Sequence, residues 1–470
     1  MNETSKHKAP VRAAGLYPAD ILLPDFSAVS GTRWSVVACD QYTSQPDYWQ
    51  RAEELVGDAP STLRLILPEV WLDEAPDRIP GIHAAMEDCL RRVLRNRPDS
   101  MVLVERRLHG GQLRRGLVGC IDLEEYDYSR GAQSLIRATE ATVPERIPPR
   151  MTIREGAWLE LPHVMLLTDD RACTVVEPLA GETDAMELAY DYDLMLDGGH
   201  LRGYFLTDSQ KAHVAEALAA LATPEAMEAR YGRADLAPLL FAVGDGNHSL
   251  AAAKAFYEHI KARLGTAALR HPARYALCEV VNLYDASLEF EPIYRVVFGV
   301  EPDGFLHDLA AYAAARQGGM PPQTLRWQAG ERQGEIPVPS PEAALAVGTV
   351  QAFLDGYMKN APAGASVDYI HGEDTARALA ARPDAVAILF DGMRKQELFS
   401  TVISDGALPR KTFSMGHAED KRFYTEARRI RRGEPCGSPA SPALRRSPES
   451  AGDTPIRYAI RSAIFAPPSR

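Results

Sequence analysis

Between residues 208 and 300 the chain changes its hydrophobic period again and again, and this alternation constrains the fold more than any other feature. A helical run, "DSQKAHVAEALAALA", gives way to the apolar run "LLFAV". A second helical run, "LAAAKAFYEHIKARL", follows, and then come "RYALCEVVNLY" and "FEPIYRVVFG". Strand-like runs alternating with helical ones pack as helices on a sheet. The fold class expected is α/β or α+β, with mixed β-sheets and flanking helices.

The remaining patterns divide the chain around this segment. Residues 19–207 form a strand-rich N-terminal part, with short runs such as "WSVVACD", "MVLVERRL" and "HVMLLTD". Two joints in it read as hairpins, "HGGQ" at 109–112 and "LDGGHLRG" at 196–203, because Asp-Gly and Gly-Gly supply positive φ in tight turns. Residues 208–300 are the α/β part, and 301–430 a helix-rich part that closes the cleft. From 431 to 470 the chain is rich in Pro, Ser, Gly and Arg and lacks apolar periodicity. Such a tail buries too little surface to offset its chain entropy, and disorder is expected there.

At 470 residues the chain can bury large cores. Its formal net charge of -12 argues against a broad phosphate-neutralising surface and so against nucleic acid as a partner. Six scattered cysteines without a C-x-x-C pair read as reduced thiols. No run approaches the length of a membrane span and no apolar leader core opens the chain, so no membrane partner is expected and the cytoplasm is the expected compartment.

The strand "LLFAV" ends in "GDGNHS". Gly244 and Gly246 allow a sharp turn in which backbone N–H groups converge, and Ser249 reads as the N-cap of the next helix. A helix N-terminus favours an anion. Asp245 adds a metal ligand or base, His248 a proton donor, and Asn247 completes the turn. The same residues also fit an ordinary strand–turn–helix joint, because Asp and Asn bond their own backbone.

Other polar clusters lie at strand ends and in loops. Asp40, Gln41, Tyr42, Thr43 and Ser44 follow an apolar strand, and either line a cleft or make a turn before Pro46. Arg137, Glu140, Thr142, Arg146 and Arg150 crowd a Pro-broken loop that is either an anion clamp or a solvated face. Arg410, Lys411 and Thr412, with Lys421 and Arg422 shortly after, make a basic patch in an acidic chain, as focusing of an anionic ligand requires. Asp191, Asp193 and Asp197 fit either Mg2+ or a solvated strand face. Glu279 alternates with apolar neighbours and reads as structural. His83, His163 and His213 read as caps or surface residues.

Taken in order, "VACDQYTSQPDYW", "RATEATVPERIPPR", "ELPHVMLLTDD", "YDYDLMLDGGH", "FAVGDGNHSLAAAKA", "DYIHGED" and "LPRKTFSMGHAEDKRFY" resemble the successive blocks of a bacterial and archaeal family, the domain of unknown function number ten-fifteen. The resemblance covers the chain up to Ile430. The turn is also similar to the Asp-Gly-His-His-Arg signature of the chromosome-partitioning-protein and sulfiredoxin superfamily, which implies a partly similar fold and a nucleotide phosphate at the turn. Asp245, Gly246 and His248 match that signature, Asn247 replaces its first His, and Ser249 stands where Arg is usual. With that Arg missing, Arg410, Lys411 or another residue would have to supply the positive charge, or the activity has changed.

The function expected is a cytoplasmic protein that binds a nucleotide or other small phosphorylated ligand, and that acts as a phosphotransferase or phosphohydrolase. A small-molecule kinase or a nucleotide hydrolase would use Mg2+ with ATP or ADP. The turn and Ser249 would hold phosphate together with Gln41, Tyr42, Arg150, Arg410, Lys411 and Thr412. Asp245 would carry the metal, Asp40 would be the base and His248 the acid. The alternative is a non-catalytic sensor of a phosphorylated metabolite. A DNA-partition role is disfavoured by the acidic balance.

Overall fold

The computed structural model describes residues 15–433 apart from Ser44, residues 141–146 and Ala234. The expected disorder of the tail concerns residues outside the described ones from 434 onward, and Thr142 and Arg146 of the arginine-rich loop lie outside them too.

A nine-stranded mixed sheet organises the larger half. Its spatial order is Glu187–Asp193, His200–Phe205, Val102–Arg107, Leu113–Asp122, Tyr275–Asn282, Met165–Thr168, Phe241–Asp245, Ile136–Ala138 and Tyr126–Asp127. Phe241–Asp245 runs parallel to Ile136–Ala138 and antiparallel to Met165–Thr168. The mixed α/β class is as the alternation implies. The boundary drawn at 207/208 needs correcting, because this one sheet takes strands from both sides of it. Non-local pairing has the last word over local composition.

Both sheet faces are covered, and side-chain alternation along each strand explains how. Val102, Val104 and Val118 enter one core with Trp49, Ala52 and Val56 of the helix Pro46–Val56. Leu103, Leu117 and Ile121 point the other way, into a core shared with Leu250, Ala253, Phe256, Tyr257 and Ile260 of the helix Asn247–Leu264. Those five positions recur at helical spacing and give that helix one apolar stripe.

Both expected hairpins form. Arg107 and Leu113 pair across residues 108–112, and Asp193 pairs with His200 across the second turn. Gly199, at φ +85°, is required there, since a Cβ would lie 2.0 Å from the Arg107 carbonyl oxygen.

The third part combines its helices with a second sheet. Arg332–Val338, Gln323–Ala329, Ala385–Leu389, Phe290–Phe298 and Ser366–His371 form an antiparallel sheet, with Phe413–Met415 paired to the start of Phe290–Phe298. The helices Pro302–Ala314, Ala346–Tyr357 and Glu373–Leu379 supply side chains to its core. Met165, Leu167 and Val281 of the nine-stranded sheet join Leu398, Phe399, Phe413 and Met415 in one apolar cluster that links the two sheets.

The chain then returns to its beginning. Phe423–Tyr424 pairs with Val36–Val37, Arg428–Arg429 pairs with Leu159–Glu160, and Leu22 and Ala427 exchange two backbone hydrogen bonds of 2.8 and 3.0 Å. The five described cysteines are free, and Cys89, Cys120 and Cys278 are buried. Among the described residues no helix is long and apolar enough to cross a membrane.

Candidate functional site

The turn sits where the strand Phe241–Asp245 hands over to the helix Asn247–Leu264. Gly246, at φ +80°, is the N-cap, and the helix begins at Asn247. Ser249 is therefore the third helical residue and not the cap. The left-handed backbone favours glycine, and a Cβ at Gly246 would lie 3.1 Å from Val164 Cα. Gly244 has a packing role, because a Cβ there would meet Leu167 and Met415 at 2.8 Å.

Asp245 is held at both oxygens. One accepts the Gly246 N–H at 2.8 Å, and the other lies 3.3 Å from Lys421 Nζ. Asn247 ties the turn to the neighbouring strand end: its Oδ1 accepts the Thr139 N–H at 3.2 Å and its Nδ2 donates to Thr139 Oγ1 at 3.3 Å. The parallel strands Phe241–Asp245 and Ile136–Ala138 thus bring their C-terminal ends together, the place where open α/β sheets bind ligands. His248 lies half-buried on the first helical turn.

Glu140, just beyond Thr139, faces the same mouth. Its carboxylate accepts the Lys411 N–H at 3.1 Å. Burial pushes this carboxyl up from 4.5 to about 7; the Lys411 hydrogen bond opposes the rise and the charge of Asp245 adds to it. A carboxyl with a raised folded-state pKa holds its proton more tightly in the folded protein than in the unfolded chain. The resulting stability is complete below the unfolded pKa and is lost as pH rises through about 7. Thermal melts across this window should show the native melting temperature falling relative to that of Glu140→Gln. Parallel curves would mean that Glu140 ionises normally.

On the other side of the turn, Ser249 Oγ lies 2.9 Å from His163 Nε2, and His163 Nδ1 lies 2.9 Å from the Tyr424 hydroxyl. Tyr424 accepts the Cys39 N–H at 3.2 Å. Next in the chain, Asp40 accepts from Gln41 Nε2 at 2.9 Å. Burial would raise the Asp40 pKa, but His163, Gln41 and Lys421 outweigh it and hold the carboxyl low. Ser249 and His163 face a largely apolar cleft with Ile66, Leu67, Met86 and Leu250 among its walls.

Beneath the turn lies a buried charge network. Arg422 pairs with Glu279 and, at 2.6 Å, with Glu426, and its Nε donates to the Pro162 carbonyl at 3.0 Å. Tyr190 donates to Glu426 at 2.5 Å. Arg106 donates to the carbonyls of Gly198, Glu419 and Lys421, and burial pulls its pKa down to about 9. The segment carrying Lys421 is thereby fixed from below.

Several expected residues stand elsewhere. Arg410 turns toward Asp355 at 3.6 Å, and Lys411 Nζ lies 5.1 Å from the centre of the Tyr369 ring. Only the Lys411 backbone reaches Glu140, and Thr412 is buried with its hydroxyl on the Pro409 carbonyl. Among the described residues, the cation in an ion pair with Asp245 is Lys421. Arg150 pairs with Glu69 in the wall of the apolar cleft. Tyr42 stacks on Tyr48 at 3.8 Å and lines a different cleft.

Asp191 and Asp193 each contact His200 at 2.7 Å across their hairpin, which accounts for that acidic pair without a metal. Glu279 is structural, as its alternation implies. His163 is neither cap nor surface residue but a buried bridge. No local signal marks His163, because its partners Ser249 and Tyr424 lie 86 and 261 positions away.

A family model described as "Protein of unknown function (DUF1015)" matches residues 24–398. The chain belongs to the DUF1015 family. No curated protein matches it. Among solved structures, this DUF1015 protein is similar to a conserved hypothetical protein from Pyrococcus furiosus, with 11% identity over 67% of this chain and 95% of that one at a TM-score of 0.32. A free serine kinase in complex with AMP has 11% identity, 66% and 90% coverage and a TM-score of 0.33. SbnI with a C-terminal truncation, from Staphylococcus aureus, has 12% identity, 67% and 84% coverage and a TM-score of 0.31. Likenesses this distant carry no argument about function.

Proposed function

We propose that this DUF1015 protein binds the phosphate of a small phosphorylated ligand, a nucleotide among the candidates, at the Gly244–Ser249 turn, and transfers or hydrolyses a phosphoryl group there. The observation that carries the reading is Lys421 Nζ at 3.3 Å from Asp245 at the mouth of an 18-residue helix. A cation, the first amides of a helix and the C-terminal ends of two parallel strands then meet at one point. Phosphoryl transfer asks the protein mainly to position groups and stabilise charge, and such a mouth can do both.

In this reading Lys421 meets the phosphate, and Asp40 and Glu140 are the groups available to take or give a proton. Glu140, balanced near neutrality, is suited to that exchange. His248 remains a hydrogen-bond donor to the ligand. Among the described residues no three His, Cys, Asp or Glu side chains are grouped to hold a metal. Any Mg2+ would therefore be held mainly by the ligand's phosphates and water, with Asp245 as the nearest protein carboxylate. Such an ion would neutralise phosphate charge.

A thermal-shift panel of ATP, ADP, GTP and CTP, each with Mg2+, tests the reading. At least one nucleotide should raise the melting temperature, as binding to the folded state must. Asp245→Ala should remove the effect, and a flat panel would overturn the proposal. Nucleotide consumption then separates an enzyme from a sensor that binds without turnover.

A further inference from the structure

We infer that Ser249 is itself a phosphoryl acceptor, so that the protein passes through a phosphoserine at the third residue of the helix Asn247–Leu264; this rests on the phosphate-binding reading above. A serine hydroxyl becomes a nucleophile when a base stands within hydrogen-bond reach and a third group orients that base. Ser249 Oγ lies 2.9 Å from His163 Nε2, and His163 Nδ1 lies 2.9 Å from the Tyr424 hydroxyl.

The Tyr424 oxygen accepts the Cys39 N–H at 3.2 Å and keeps a second lone pair that can accept a proton from His163 Nδ1. In the tautomer protonated at Nδ1, His163 Nε2 is bare and faces the serine hydroxyl. His163 and Tyr424 are both buried, at 7% and 2% exposure, so the imidazole cannot swing away. Tyr424 is a positioning residue in this scheme.

Two further observations favour phosphate on this oxygen. Ser249 sits in the first helical turn, where a phosphoserine is stabilised by the helix dipole and by amides without intrahelical partners. Ser249 and His163 also both line the cleft, so a group added to the serine oxygen enters it and not the core.

The step balances with a nucleoside triphosphate as the donor. Ser249 Oγ forms a bond to the γ-phosphorus as the bond from that phosphorus to the β,γ-bridging oxygen breaks. The hydroxyl proton passes to His163 Nε2, and the nucleoside diphosphate leaves. A hydroxyl-bearing acceptor or water then takes the phosphoryl group from Ser249, giving its own proton to His163 as the imidazolium returns one to the serine oxygen.

Incubating the full chain with magnesium ATP, and separately with magnesium GTP, tests the inference by intact mass, peptide mapping and exchange of labelled nucleoside diphosphate into the triphosphate. The expected result is one phosphoryl group on Ser249, or diphosphate exchange in the absence of any acceptor. Both signals should be absent in Ser249→Ala and slowed about a hundredfold in His163→Gln. Ser249→Ala should melt with the free native protein in the absence of nucleotide, which shows that it is folded. A native protein that is stabilised by nucleotide but shows neither phosphoserine nor exchange overturns this inference alone. A label that persists in Ser249→Ala does the same. A native protein that no nucleotide stabilises overturns the phosphate-binding reading along with it.

Discussion

Arg422→Ala should cost about 3–5 kcal/mol of folding stability, because it strands Glu279 and Glu426 as uncompensated buried carboxylates. Both are essentially inaccessible, at 2% and 0% exposure, and the Arg422 guanidinium bridges them. Removing one partner of a buried pair is costly, whereas removing the whole group is much less so. Arg422→Met combined with Glu279→Gln and Glu426→Gln should therefore recover a large part of the loss. Urea unfolding of the single and triple variants measures both. A single variant within about 1 kcal/mol of the native protein would show that water reaches these carboxylates. The damage should spread to the turn as well, since Arg422 adjoins Lys421 and anchors the segment that presents it.

Lys421→Ala should weaken binding of the stabilising nucleotide by roughly ten- to a hundredfold, or about 1.4–2.8 kcal/mol, measured as affinity at a temperature where the variant is folded. Some loss in the melting temperature of the free protein should accompany it, because the Lys421 side chain is only 15% exposed, pairs with Asp245 and helps to hold Asp40 ionised. The same ammonium is the side-chain cation at the turn, so the ligand loses a charge-assisted contact when it is removed. Arg410→Ala and Lys411→Ala serve as controls. Their side-chain charges lie against Tyr369, with Asp355 beside Arg410, and both variants should keep near-native affinity. Affinity loss in the controls without loss in Lys421→Ala would return the phosphate to the patch expected from composition.

The difference between those two patches shows what the chain makes legible. The turn could be read directly, because a strand, two glycines and a helix follow one another within a few residues and local period reports each of them. Its charge partner could not. Lys421 lies in "AEDKRFY", far from residue 245, and no periodicity links the two; they meet because Phe423–Tyr424 returns to pair with Val36–Val37. Density of basic residues marked the patch from Arg410 to Arg422, Lys421 included, but did not say which of its cations meets Asp245; at Arg410 and Lys411 a neighbouring aromatic ring and acid take up the charge.

Fold class and both hairpins were legible for the same local reason. Most of the six-stranded sheet was not, although its strand Phe290–Phe298 was, since strands such as Gln323–Ala329 mix polar and apolar residues and acquire their identity from non-local partners. The 207/208 boundary failed for a related cause. A change of local pattern marks a change of element, and a sheet can collect its strands from either side.

The late return of residues 419–430 to the opening of the chain bears on how the protein is made. A ribosome delivers Val36, His163 and Asp245 long before Lys421 and Tyr424, so the mouth of the turn stays unfinished until synthesis is almost over. The matched stretch 24–398 stops short of both late residues. A recombinant fragment cut there would lack the cation at Asp245 and the hydroxyl at His163, and it would leave the edge at Val36–Val37 unpaired.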